Sequence, residues 1–472
     1  MPLSLLDLPT ETIMMVLDAL CMHCLDPGLH SPCGEGDRGI SLYIRQAALF
    51  ALARTSRQLN VLATPHLYHE PVGKTTLLMR TLVERPDLAL HVRSIRVEEK
   101  FTSPDVFEAM PGGDVVLAAF EAMVRDRKDG VFGQDAVLDE QWEGEWEEED
   151  GGGFADFLIS LCPAVTHLEI SLGYDGPFFT MVGDRGLIDL RHMRVNFLDT
   201  ENGWGMDRIS RLPDVAPKLA SLLCHALVSP PDISPRFKYL TRLALGHSSI
   251  EPGALEPIIR TMPRLETFEL TAGDACVSFE SHLTPREMQD VLVRCAPGLK
   301  SLTVHLTEGV TEDRVESPDL WSSLAGLTKL EHLDFDYMSI FPHSDPHTGR
   351  IVNGQPVVFP AHVPGRTVFA DLLPRSIRTV RFYHGPGTET ADALLPCLEH
   401  LAFVAAERFP SLRWFDLANA EHLGGNVDGI MSVMEGSGVE FREGKEWSGS
   451  NAMTRRGDWQ IYQALLVASG RL

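Results

Sequence analysis

Four things are scarce in this 472-residue chain, and each scarcity closes a door. No stretch approaches the roughly eighteen consecutive apolar residues of a membrane-crossing helix. The apolar residues at the start are interrupted by Asp7, Glu11 and Asp18, with no basic segment ahead of them, so no secretory leader is expected. Basic side chains are in deficit: 41 Lys and Arg stand against 66 Asp and Glu, a formal charge of −25. That balance repels a phosphate backbone, so no nucleic-acid partner and no membrane partner are expected. Cysteine is sparse, eight residues scattered along the chain, which is not a disulfide framework. Catalytic signatures are missing too. There is no Gly-x-Ser-x-Gly elbow, no His-Glu-x-x-His pair and no glycine-rich dinucleotide turn. The expectation is a soluble, acidic protein of the cytoplasm, the nucleus or both, with no catalytic residues, no cofactor and no metal site.

The length exceeds what one compact core serves, so a small module and a large domain are expected. The first pattern is LLDLPTETIMMVLDAL, from Leu5 to Leu20. Ile13, Val16, Leu17 and Leu20 recur at helical spacing, Pro9 suits the first turn, and Glu11 suits the positive end of the helix dipole. A second pattern, Leu49 to Tyr68, carries Leu49, Leu52, Ser56, Leu59 and Leu62 and is read as stopping at Pro65. Two such short helices cannot bury their apolar faces alone and need a partner.

These residues resemble an F-box, the helical module that docks on a Skp-type adaptor. The resemblance rests on Leu8-Pro9, Glu11, Ile13, Val16-Leu17 and the later Leu52-x-x-x-Ser56-Arg57-x-Leu59. The ending LATPHLYHE is similar to the exit of that module in fungal F-box proteins, where a Leu-Tyr pair leads into the first strand of the next domain. The chain departs from the pattern in an insertion at about 22–42, roughly twenty residues beyond what the motif expects, a cheap change for a loop. The resemblance implies that Leu8, Pro9, Ile13, Val16, Leu17, Leu20, Leu49, Leu52 and Leu59 contact the adaptor or pack the module's small core.

Downstream, a Leu-x-x-Leu-x-Leu spacing recurs ten times. It runs through Val92/Ile95/Val97, Val165/Leu168/Ile170, Leu190/Met193/Val195, Leu219/Leu222/Cys224 and Leu240/Leu243/Leu245. It continues through Leu265/Phe268/Leu270, Leu299/Leu302/Val304, Leu330/Leu333/Phe335, Ile377/Val380/Phe382 and Leu412/Phe415/Leu417. From Val165 the starts are 25, 29, 21, 25, 34, 31, 47 and 35 residues apart, an irregular array. A further match at Leu398 is rejected as a strand, because LLPCLEHLAFVAAERF reads as a helix. The expected fold is α/β: an F-box followed by an irregular leucine-rich-repeat solenoid, parallel strands on the concave side and helices outside. The expected division is 1–70, 71–453 and a closing helix at 454–472. Two segments interrupt the array: an acidic, glycine-rich loop at about 125–153 with Trp142 and Trp146, and a Pro/His-rich insertion at about 341–374.

Other candidates are weaker. Val72 to Thr76, VGKTT, lacks the earlier glycine and the preceding strand of a phosphate loop. Cys21 and Cys24, with Cys33, His23 and His30 nearby, are ligand types that zinc favours, but no second Cys-x-x-Cys follows. His343, Asp345 and His347 lie in the Pro-rich insertion and would carry an enzyme reading only if mutation removed an activity. Arg191/Arg194 and Arg378/Arg381 are the candidates for reading a phosphorylated target, yet residues three apart on a strand face opposite ways. By resemblance, the chain reads as the substrate-recognition subunit of a cullin-type SCF ubiquitin ligase, with a Skp-type adaptor and an unknown target protein as partners. The alternative is a leucine-rich-repeat scaffold outside ubiquitination, with the N-terminal helices as a cap.

Overall fold

A computed structural model describes residues 5–25, 35–98, 107–130, 152–172, 178–179, 181–183, 186–197, 203–229, 236–251, 253–273, 283–308, 319–341, 351–352, 355–356, 365–383, 389–418 and 427–444. Two compact units are present. The first holds the described residues up to 197 with Arg211–Leu219, and the second the rest.

The first unit opens with α1 (Thr10–Leu20), a short α2 (Met22–Leu25), α3 (Glu35–Thr55) and α4 (Arg57–His69). Ile13, Leu17, Leu49, Ala53, Leu59 and Ala63 close a core of their own, with Leu5, Met14, Leu20, Leu52, Leu62 and Leu67 packed against it. Each fully buried leucine or isoleucine there contributes about 1.5–3 kcal/mol relative to exposure. The second pattern is two helices rather than one. Ser56 adopts an extended backbone and its Oγ accepts from Leu59 N–H at 3.2 Å, which starts α4. Nor does that helix stop at Pro65; it continues to His69 with the proline inside it. The segment read as an inserted loop contains α2 and the beginning of α3.

After the module come α5 (Thr75–Glu84) and α6 (Pro86–Ala89), so two helices separate Tyr68 from the first strand. VGKTT therefore follows a helix, and its Lys74 caps α5. Eleven parallel strands follow one another in chain order, three in the first unit and eight in the second. They are β1 (Ser94–Glu98), β2 (His167–Leu172), β3 (His192–Phe197), β4 (Ser221–His225), β5 (Arg242–Gly246), β6 (Thr267–Gly273), β7 (Ser301–Glu308), β8 (His332–Asp336), β9 (Thr379–Tyr383), β10 (Trp414–Ala418) and β11 (Glu440–Gly444). Ten coincide with the ten sequence matches, and the first and last residues of every match are buried. β11 is additional, because only Val439 and Phe441 are apolar in its stretch and the pattern fails there. Leu398 lies on a helix, Glu389–Arg408, as its sequence predicts.

The register explains the spacing. The second and third apolar residues of each match align with their counterparts on the next strand, as in Ile95–Leu168–Met193 in the first unit and Leu302–Leu333–Val380–Phe415 in the second. The first apolar residue closes a tight turn ahead of the strand. Leu265 N–H donates to Met262 O, Leu299 to Ala296 O and Leu412 to Phe409 O, with Pro263, Pro297 and Pro410 supplying the fixed φ such turns favour. β2, β3 and β5 to β9 each begin with two N–H groups on one carbonyl of the preceding repeat. Thr166 and His167 N–H share Arg93 O, Glu266 and Thr267 share Thr241 O, Lys300 and Ser301 share Glu266 O, and Glu331 and His332 share Lys300 O. In the second unit Phe335, Phe369, Phe382 and Phe415 pack ring to ring at centroid distances of 5.1–5.6 Å.

Parts of the two interrupting segments are ordered. A helix from Gly113 runs on to Gly130, and another, α8 in chain order (Gly152–Leu161), starts at the far end of the acidic stretch. Within 341–374 lie a two-stranded ribbon, Ile351–Val352 with Gln355–Pro356, and a helix, Val368–Leu372, that buries Phe369 and Leu372. Trp142, Trp146, Cys33, His30, His343, Asp345, His347 and the closing helix at 454–472 lie outside the described residues.

Candidate functional site

The nine residues singled out on the helical module divide into two groups. Ile13, Leu17, Leu49 and Leu59 are core, and Leu20 and Leu52 are half-buried against it. Leu8, Pro9 and Val16 are exposed. Sequence spacing did not separate the groups, because Val16 and Leu17 are adjacent and equally apolar. The helical rotation between them turns one outward and one inward. Other apolar side chains share the surface: Met15 is 71% exposed on α1, Phe50 and Tyr43 lie seven residues apart on α3, and Val61 is 72% exposed on α4. Seven residues are about two helical turns, so Tyr43 and Phe50 share one stripe. Arg54 lies over the Phe50 ring at 5.5 Å. Single exposed apolar residues need no explanation, but this small module leaves Leu8, Met15, Val16, Tyr43, Phe50 and Val61 exposed on three of its helices and the segment before them.

The strands offer the second surface. Side chains between the buried pairs point the other way, and on β1, β2, β3, β6, β8, β9 and β10 they are charged, whereas β4, β5 and β7 carry Leu223, Ala244 and Thr303 there. In the first unit Arg96 reaches Glu169 at 2.9 Å, Asn196 donates to the same carboxylate at 3.0 Å, and Arg194 donates to Asn196 at 3.1 Å. Burial would raise the Glu169 carboxyl, but Arg96 and then Arg194 beside it hold it below its ordinary value. In the second unit Arg242 meets Glu269 at 2.8 Å, and Arg381 meets Asp416 at 2.8 Å with Asp334 at 3.9 Å. Arg378 pairs with Glu331 at 3.4 Å. Of the arginines considered for phosphate recognition, Arg378 and Arg381 face carboxylates, Arg194 faces the Asn196 amide, and Arg191 donates to Lys218 O at 3.3 Å.

Cys21 closes the C-terminal end of α1, and Cys24 sits on α2. Both are free thiols. Burial raises the Cys21 thiol, and burial followed by the Cys21 sulfur pushes Cys24 up to about 12. His66 and His69, on the last turn of α4, lie beside them. Burial lowers both imidazoles, His69 to about 4 with help from His23 and His66, so both are neutral at pH 7. The sequence reading sought a second Cys-x-x-Cys and passed over His66-x-x-His69. The signal that would have found it is the shared i, i+3 spacing, which puts two ligand atoms on one side of a helical turn. His23 points elsewhere, with Nε2 at 3.3 Å from Thr166 Oγ1 at the foot of β2.

Comparison with known proteins adds little to this picture. No family model matches the chain, and no curated protein matches it. Among solved structures, a chain of the Rad7 and Elc1 complex in yeast is similar over 81% of this chain and 91% of its own length, at 11% identity and a TM-score of 0.24. At that score the likeness carries no argument, and the chain's own residues must supply the reading.

Proposed function

We propose that the chain is a non-catalytic substrate-recognition subunit of a cullin-type SCF ubiquitin ligase, acting in the cytoplasm, the nucleus or both. In this reading the helical module is an F-box that binds a Skp-type adaptor, and the strand array is a leucine-rich-repeat domain that presents its polar strand face to a target protein. The observation that carries the proposal is the split within the motif. The module closes its own core with Ile13, Leu17, Leu49 and Leu59, yet leaves Leu8, Pro9 and Val16 of the same motif at the surface. A residue spent on the core cannot also dock, and these three are not needed for the core. The repeat reading is supported by seven strands, β2, β3 and β5 to β9, that start in the same way on the preceding repeat. The protein acts as a tether, raising the local concentration of a target beside the ubiquitin-loaded enzyme while doing none of the chemistry.

The test is co-purification of the full-length chain with and without a Skp-type adaptor, followed by gel filtration. The reading expects a stoichiometric complex with the adaptor and aggregation without it. A monodisperse chain that ignores the adaptor would sink it.

One observation favours a second reading, a leucine-rich-repeat scaffold outside ubiquitination. The helical module and β1–β3 belong to the same compact unit, joined by the His23–Thr166 contact and by Arg93 N–H donating to His69 O at 2.9 Å. A cap would be built this way. In that case removing residues 1–70 unfolds the array, whereas an F-box can be lost with the array intact.

A further inference from the structure

We infer that Cys21, Cys24, His66 and His69 form a structural zinc site. The inference stands on the side-chain cluster and is independent of the ligase reading. The four residues offer two sulfur and two nitrogen donors, all within 4.8 Å of one another. His69 Nδ1 lies 3.2 Å from Cys24 Sγ and 3.5 Å from Cys21 Sγ, and His66 Nδ1 lies 3.8 Å from Cys24 Sγ. In a tetrahedral site with Zn–S of about 2.3 Å and Zn–N of about 2.0 Å, ligand atoms are separated by about 3.3–3.8 Å. The three nitrogen–sulfur separations, 3.2, 3.5 and 3.8 Å, straddle the roughly 3.5 Å nitrogen–sulfur edge of such a tetrahedron.

Local structure puts the donors there. Cys21 ends α1, its N–H bonded to Leu17 O at 2.9 Å, and α2 turns Cys24 back beside it. His66 and His69 are one turn apart on α4, so their imidazoles leave the helix on the same side. The sequence separations between the cysteines and the histidines run from 42 to 48 residues, so a metal there would close a long loop. His23 is occupied with Thr166 and is not in the set. Asp18, with Oδ1 at 3.6 Å from His66 Nδ1, places a carboxylate at the rim.

The donor set selects the metal and its role. Two thiolates with two imidazoles in a tetrahedral arrangement suit zinc, and four protein ligands leave no open position for substrate or water. The site is therefore structural. Binding displaces the two thiol protons to solvent and uses the imidazoles in their neutral form. Zn²⁺ with two thiolates carries no net charge, which suits a site where Cys21 and His66 are buried. The metal ties the end of α1 to the last turn of α4, at the point where His69 O receives Arg93 N–H ahead of β1. It thus fixes the angle at which the helical module meets the first strands of its own unit.

The test uses the full-length chain purified from zinc-supplemented culture without chelator. Elemental analysis is expected to find one zinc per chain. Exchange into cobalt(II) is expected to give the intense visible d–d bands and the sulfur-to-cobalt charge-transfer band of a tetrahedral S₂N₂ site. Cys24→Ser and His69→Ala should each lose the stoichiometric metal, while His23→Ala and Cys295→Ser should keep it. Because the first two variants can also misfold, the cobalt spectrum of the unmutated chain decides alone. Metal-free protein that gives no tetrahedral bands with excess cobalt overturns the site, as does zinc retained in full by the Cys24→Ser, His69→Ala double variant.

Discussion

Val16 and Leu17 are neighbours with nearly the same hydrophobicity, and the structure turns one outward and the other into the core. Leu17 is 0% exposed in the module core beside Ile13, Leu49 and Leu59, while Val16 is 39% exposed. Replacing Leu17 by Ala removes buried methyl groups and leaves a cavity, at a cost of about 2–5 kcal/mol. That is a large share of the roughly 5–15 kcal/mol that holds a domain folded. Val16→Asp touches a surface position in mid-helix, where Val and Asp have similar helix propensities, so its effect on stability is about 0.5 kcal/mol or less. A carboxylate placed in an apolar docking surface is different. Losing one anchor there costs about 2 kcal/mol or more of binding, roughly thirtyfold in Kd. The assay is paired: thermal unfolding by far-UV circular dichroism, and titration against a Skp-type adaptor. Val16→Asp should melt like the unmutated chain and bind at least tenfold more weakly, and Leu8→Asp with Pro9→Ala should do the same. Leu17→Ala should melt early. The reasoning is refuted if Val16→Asp binds the adaptor as the unmutated chain does, or if Leu17→Ala leaves the melting curve unmoved.

Further outcomes can be checked on the same preparations. Phe382→Ala opens the ring cluster with Phe335 and Phe369 and should cost about 3–5 kcal/mol by denaturant titration. Ser56→Ala removes the cap that separates α3 from α4 and should cost about 1 kcal/mol. Because Glu169 titrates below its ordinary value of 4.5 in the folded state, its contribution to stability is present above that pH. It should fade as pH falls through the folded value, and Glu169→Gln should flatten that part of the pH–stability curve. Asp156, buried on α8, accepts from Phe179 N–H at 2.6 Å and Met181 N–H at 3.0 Å. Asp156→Ala leaves those donors unpaired and should destabilise the first unit by about 1–3 kcal/mol, read as faster amide exchange at those two positions.

The array was legible because each strand must place two alternate side chains into a shared core, and the turn before it must place a third. That demand is written in one short stretch, so all ten matches and the helix at Leu398 could be read without knowing what lay between. β11 escaped because only Phe441 of its five residues faces the core, against Phe415 of β10. The helical boundaries were less visible. The apolar rhythm of Leu49 to Leu62 runs across Ser56 as if one helix were continuous, and only the hydroxyl's bond to Leu59 N–H breaks it. Pro65 misled in the other direction, since a proline inside a helix reads as a stop when neighbouring packing is unknown. Of the nine residues on the helical module, spacing marks the apolar set but does not say which members are buried and which are exposed. His66 and His69 were passed over because ligands more than forty residues from the cysteines are joined only by the fold.

The shared carbonyl at the start of β2, β3 and β5 to β9 has a consequence for how such a chain can change length. Thr241, Glu266, Lys300 and Glu331 each hold the next strand at a single point, whatever path the chain takes to reach it. A segment between strands can therefore grow or shrink without disturbing the alignment on either side, which is why spacings of 21 and 47 residues coexist in one sheet. Inside a strand there is no such freedom, for adding a single residue between Leu302 and Val304 would turn a core side chain out to water. The points where those strands begin are thus fixed, while the lengths of chain that join them are free to differ, like the decks between the piers of a bridge.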